Sequence, residues 1–159
     1  MAYPATIIAL DFVKKGIAES KFVTQMKLQK LVYFAHGYHL AKYKEPLILE
    51  QFKAWQFGPV IPEIYQEYKY YGSNPITDPS LIGWLYSIDE SNSGKLAINA
   101  QSSINYTWQA LKDLSGYQLS NWTHKENSPW SNNYKPGIQD IPIPNDEIGK
   151  YFSDFLMPK

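Results

Sequence analysis

Hydrophobic residues recur at helical spacing along five stretches of the chain, separated by clusters of Gly, Pro, Asn and Asp. In residues 6–15, Ile7, Leu10 and Val13 fall at threes with Ile8 and Phe12 alongside, which predicts a first helix stopped by Gly16. Residues 25–43 carry the clearest pattern. Leu28, Leu31, Val32, Ala35, Tyr38 and His39 form one stripe behind an N-capping Thr24, with Tyr33, His36 and Leu40 as a second, more polar flank. Glu45-Pro46 ends it. Phe52, Ala54 and, after a skip at Trp55, Phe57 alternate as in a short strand, which Gly58-Pro59 breaks. Pro62 suits the first position of a third helix, with Ile61, Ile64, Tyr65, Tyr68 and Tyr71 as its buried face and Gly72–Pro75 closing it.

Residues 76–103 are the least regular. Asp78-Pro79-Ser80 and Asp89–Gly94 are turn material around Leu81–Ile88 and Leu96–Ile98, as in a small hairpin or a loop. Ile104–Leu114 is predicted helical, with Trp108, Leu111 and Leu114 on its buried side and Gly116 at its end. Residues 118–130 suggest a short helical turn and a loop, and 131–144 a loop rich in Asn, Pro and Gly. A closing helix from Asp146 has Ile148, Tyr151, Phe152 and Phe155 as its inner face. The expected architecture is mainly α: one domain over residues 1–159, five or six helices and at most a short strand pair.

Composition narrows the function classes. Fifteen lysines balance fifteen acidic residues, and arginine is absent, which argues against clamps that need a rigid bidentate fork. Residues 1–72 carry nine Lys against six acids and residues 73–159 six against nine, so neither half is polybasic. Without cysteine there is no disulfide, thiol catalysis or zinc ribbon. No charged leader segment and no apolar run of spanning length is present, so a cytoplasmic location and no membrane partner are expected. Aromatic residues are the excess, with thirteen Tyr, seven Phe and five Trp. They predict an aromatic core, an aromatic contact surface, or both.

Three histidines are candidates for chemistry. His36 and His39 lie three apart on the second helix with Glu63 or Glu67 within reach in principle, but zinc needs three or four ligands and no second His or Cys pair supplies them. Thr123-His124-Lys125-Glu126, with Ser120 and Ser128 nearby, offers a base, an acid and hydroxyls without a nucleophile-elbow motif. A loop histidine fixed between Trp122 and Trp130 is the plainer reading. Glycine-rich phosphate loops are absent, and no cofactor is expected. Lys27, Lys30 and Tyr33 make an imaginable basic-aromatic stripe, which the zero net charge argues against.

Four blocks in order resemble a known family. Met26-Lys27-Leu28-Gln29-Lys30-Leu31-Val32-Tyr33-Phe34-Ala35 with Gly37–Ala41 resembles the opening block of the Panacea domain, the SocA-like antitoxin family of bacteria and phages. Phe52–Pro62 with Tyr65, centred on Trp55 and Gly58-Pro59-Val60, is similar to its Gly-Pro-Val centre. Ser120–Glu126 with Pro129-Trp130 looks like its Thr-His…Pro-Trp block, on Thr123 and His124, and Ile141–Phe152 like its closing helix. The resemblance implies an antitoxin that neutralises a toxin protein, usually encoded beside it, by direct contact. An adaptor delivering the toxin to a ClpXP-type protease is the alternative it implies, and a hydrolase centred on His124 is a third reading. Leu28, Leu31, Ala35, Trp55 and Ile64 are expected to specify the fold. Residues 76–105 match no block.

Surplus Tyr and Trp suit a protein that binds proteins, because such side chains dominate binding hot spots. Tyr70, beside the inward stripe of the third helix, and the edge of Phe57 are the expected toxin contact, with Lys30 and Tyr33 on the second helix as the other candidate surface. The first predicted helix begins within six residues of Met1, so no added DNA-binding segment is expected. Specific binding to its own promoter at physiological salt should therefore be absent. A salt-sensitive gel shift at nanomolar protein, abolished by Lys27→Ala with Lys30→Ala, reverses that expectation.

Overall fold

Thr24 starts the central helix as its pattern predicts, its hydroxyl accepting from the Lys27 N–H at 3.2 Å. This helix is α2, Gln25–Tyr43, and it is closed by Lys44 in the left-handed conformation. The computed structural model describes residues 2–78 and 96–156, so the hairpin or loop expected around Leu81–Ile88 lies outside the described residues. Before α2 comes α1, Ala5–Ala18. After it, β1 (Lys53–Trp55) and β2 (Gly58–Val60) form a hairpin that leads into α3, Pro62–Tyr68, and a 3-10 turn at Lys69–Tyr71. Then follow α4 (Ile98–Leu111), α5 (Gly116–Thr123), α6 (Pro129–Asn133), β3 (Ile141–Pro142), α7 (Asn145–Tyr151) and a π-helical turn, Phe152–Leu156.

Helices dominate, as the periodicity implies, with seven α-helices among the described residues and a small antiparallel sheet ordered β2-β1-β3. The register pairs Lys53 with Val60, Ala54 with Pro59 and Trp55 with Gly58, and sets Ala54 opposite Ile141. The third strand is one more than the expected pair. Two residues are too short to show alternation, and Pro142, which lacks an N–H, fits only at a sheet edge. The extra helix, α6, takes residues expected to be loop. Ser128 caps it by accepting from the Ser131 N–H at 3.2 Å, and Pro129 sits in its first turn. The neighbouring α5 opens with a Ser115–Gln118 capping box. Gly16 does not stop α1, which runs on to Ala18. Its missing side chain instead lets the Lys21 carbonyl approach, since a Cβ there would stand 2.8 Å from that oxygen.

The main correction concerns α2. The pattern assigns it a buried stripe and a polar flank, but Tyr33 and His36 are as buried as Leu28 and Leu31. Six other segments cover it: α1, α3, α4, α5, α7 with the π turn, and β2. Over residues 27–37 every position is buried, so these turns have no solvent face for a polar flank to occupy. Elsewhere the inner faces are narrower than expected. Ile61, Ile64 and Tyr68 are buried but Tyr65 is 40% exposed, and Phe152 is buried while Phe155 is 70% exposed.

Gly37 is the point of closest approach between α2 and the π turn. A Cβ there would clash with the Phe152 ring, which itself packs edge-on against Tyr33 and Phe34 at 5.6 Å from each. Gly37→Ala gains roughly 1 kcal/mol of helix propensity and meets an overpacking cost of about 1–3 kcal/mol. Net destabilisation and a lower Tm in thermal unfolding are expected; a Tm at or above wild type would mean that the ring turns aside freely.

Candidate functional site

The β1–β2 turn rests on the N-terminal half of α2 because position 58 is glycine. Gly58 has φ +119°, and a Cβ on it would stand 2.9 Å from Lys30 Cε and 3.0 Å from Thr123 Oγ1. Side chains of the helical scaffold then hold the turn by its carbonyls. Lys30 Nζ donates to Pro59 O at 3.4 Å, Ser120 Oγ to Phe57 O at 3.0 Å, and Trp130 Nε1 to Trp55 O at 2.6 Å. The Ser and Thr hydroxyls continue inward. Thr123 Oγ1 donates to Ser120 O at 2.7 Å and Ser128 Oγ to Thr123 O at 2.8 Å.

His124 lies flat on Trp130, with ring centroids 3.9 Å apart and 4° between planes, and Trp130 stacks in turn on Tyr134 at 4.7 Å. Burial holds the His124 pKa below the usual 6.5, a hydrogen bond with the Phe57 backbone opposes this, and the charge of Lys30 adds to it. The hydroxyls of Ser120 and Ser128 both serve backbone carbonyls, so neither pairs with His124 as a nucleophile would. His36 and His39 point to different partners. His36 Nε2 donates to Asn145 Oδ1 at 2.9 Å, and His39 Nδ1 lies 2.8 Å from Ser103 Oγ. Among the described residues no group of three or more His, Cys, Asp or Glu could hold a metal ion.

Beside the turn opens a groove of about 710 Å³. Trp55, Phe57, Tyr65, Tyr134 and Ile138 supply its apolar walls, and Gln25, Gln29 and Lys30 its polar side. Gln29 is fixed there by exchanging two hydrogen bonds with the Ile61 backbone, each 3.0 Å. Lys30 is 2% exposed, and burial alone pushes its pKa down from 10.5 to about 7.

The expected site residues therefore divide. Lys30, Trp55, Gly58, Pro59, Thr123, His124 and Trp130 converge on the turn, with Pro129 buried behind them, while Leu28 and Leu31 belong to the core. Phe57 is 63% exposed on the groove, and Tyr70 is 90% exposed on the 3-10 turn without lining it. Tyr33 offers no outer surface. It sits among Phe34, Phe52 and Phe152, its hydroxyl pKa raised by burial, and Lys30 has access only through the groove. Met26, Tyr65, Tyr134 and Ile138 complete the groove; periodicity assigns Tyr65 to a buried helix face and passes over the other three, since it carries no signal for a concavity built from four separate segments.

The site is thus an aromatic concavity beside a turn held by its main-chain carbonyls. The chain belongs to the family described as antitoxin SocA-like, Panacea domain, whose model matches residues 28–131 and so takes in nearly all of the first block and the whole of the second and third, with the fourth lying beyond it. Antitoxin SocA of Caulobacter vibrioides (strain NA1000 / CB15N) is similar to it, with 40% identity over 62 residues that cover 39% of this chain. The match spans 33% of that relative's length. No solved structure matches the chain. Among the described residues no helix is long and apolar enough to cross a membrane.

The buried lysine has a measurable consequence for stability. Its folded pKa of about 7 lies below the unfolded 10.5, so between these values the folded chain binds fewer protons than the unfolded one. Stability from this group is fully present above pH 10.5, is lost as pH falls to 7, and is flat below. Lys30→Met removes the effect and should stabilise the protein at pH 7 by up to about 4 kcal/mol. Urea unfolding at pH 7 and pH 9 checks it, and the wild type should recover part of the difference at the higher pH. Equal stability at both would mean that the ammonium stays hydrated.

Proposed function

We propose that the chain is an antitoxin that neutralises a cognate toxin by direct protein contact, with the turn at Phe57 and the 3-10 turn at Tyr70 in the interface. The observation that carries this is the family match, which takes in Lys30, the β1–β2 hairpin and the His124–Trp130 stack. The name of the Caulobacter relative supports the same role. Zero net charge and the absence of arginine favour a protein partner over nucleic acid. Phe57 and Tyr70 stand exposed as large aromatic side chains with few rotatable bonds, the type that contributes most to protein interfaces.

The toxin is expected from a neighbouring gene. Its product should arrest growth alone and should cease to do so when this chain is co-expressed and co-purifies with it. Protection that persists in a ClpXP-deficient host is the result for an inhibitor; protection lost there would replace inhibition by delivery to a protease. Truncating a hot-spot aromatic typically costs 2 kcal/mol or more, roughly thirtyfold in affinity. Tyr70→Ala and Phe57→Ala should each weaken toxin binding by about that factor, with Tm unchanged because both side chains are exposed. Wild-type affinity in both stable variants would move the interface away from this face.

A further inference from the structure

Lys30 is chemically out of place as a purely structural residue. A buried ammonium without a carboxylate destabilises a fold, and an apolar side chain of similar length would fill the space better. Among the described residues the ion pairs involve Lys15, Lys21, His39 and Lys112, and Lys30 has only the Pro59 carbonyl at 3.4 Å. Of the residues lining the groove it is the one that carries a charge, and none is Asp or Glu. The acid that follows them in sequence, Asp140, already accepts from Trp55 Nε1 at 2.8 Å. On the same side of the groove, Gln25 Oε1 is buried without a hydrogen-bond partner. One cation, one unsatisfied acceptor and walls of Trp55, Tyr65, Tyr134 and Ile138 thus meet in one concavity.

We propose that this groove receives a segment of the toxin in which an Asp or Glu side chain, flanked by apolar residues, ion-pairs with Lys30. The proposal rests on the antitoxin reading and names the chemistry of its partner. The four-carbon stem of lysine lets the ammonium leave the Pro59 carbonyl for a carboxylate entering the groove. Water is largely excluded there, so a charge-assisted hydrogen bond counts for more than it would at the surface. An N–H of the incoming segment would satisfy Gln25 Oε1. A phosphate is a poorer match, since its second charge would meet no other cation among the groove's described residues. The volume, about 710 Å³, suits a few side chains and not a whole helix face.

The experiment is selection from a displayed library of random peptides of about twelve residues on the full chain, followed by binding of synthetic copies to wild type, Lys30→Met and Lys30→Gln. Recovered peptides should carry Asp or Glu beside Trp, Phe or Leu. Changing that acid to its amide should weaken binding to wild type by about 10- to 100-fold, the usual range for a hydrogen bond to a charged group. The same change should make less than about a twofold difference with either Lys30 variant. Recovery of no peptide, of peptides without an acid, or of acidic peptides bound equally well by the Lys30 variants overturns the proposal. Growth rescue separates the two readings. A wild type that binds acidic peptides but never rescues growth removes the antitoxin reading and with it the toxin as source of the carboxylate. Rescue that is equally strong with folded Lys30→Met removes the groove from neutralisation and leaves the antitoxin reading intact.

Discussion

The enclosure of α2 is the constraint on which the rest of the structure depends. A helix covered on all sides must find a partner for each polar group it carries, because a buried polar group without one costs about 1–3 kcal/mol. Five polar side chains of α2 find such partners on the segments around it. Lys27 Nζ donates to the Lys112 carbonyl after α4, Gln29 exchanges two bonds with Ile61 before α3, and Lys30 reaches Pro59 in β2. His36 bonds Asn145 at the start of α7, and His39 pairs with Ser103 in α4. Apolar burial supplies the driving force, but it is nearly indifferent to register. These bonds are not, and they set where each neighbour lies along the helix.

That arrangement explains what could be read from the sequence. The limits of α2 were legible because caps act locally: Thr24 and Lys44 each satisfy backbone groups within one turn. The inner residues of α1, α3, α4 and α7 were legible because each of those helices keeps a solvent face, and Ile8, Ile64, Trp108 and Ile148 are all fully or almost fully buried. Periodic reasoning failed at α2, where Tyr33 and His36 read as a polar flank and are buried, as are Lys27, Gln29 and Lys30. A polar residue satisfied by a segment 30 or 100 positions away leaves no trace in local spacing. The shortest elements, α6 and β3, were missed because they span less than two full periods of their own patterns.

The candidate site was legible in part for a related reason. The blocks that carry the family resemblance were visible as sequence, and residues from the first three of them meet around the β1–β2 turn. The state of Lys30 was not legible, because it depends on Gly58 lying over it and on the absence of an acid near it, both tertiary facts. His124, a candidate base by sequence, is stacked flat against Trp130. Its ring continues the Trp130–Tyr134 stack, and that stack positions the indole N–H that reaches the Trp55 carbonyl.

The three bonds that hold the turn share one feature, which bears on how such a site works. Lys30, Ser120 and Trp130 all donate to main-chain carbonyls, those of Pro59, Phe57 and Trp55. None of these bonds contributes to the identity of the side chains on the turn, apart from the glycine needed where the backbone presses on Lys30. The scaffold therefore fixes the place of the turn without fixing its chemistry. Gln56 and Phe57 project outward from a backbone that would be held equally well with other residues there. Rigid main-chain anchoring also lowers the ordering cost of binding, since the loop is already in place when a partner arrives. A surface built this way separates the part that must be kept, the polar bonds from α2, α5 and α6, from the part that can be adapted to a particular partner.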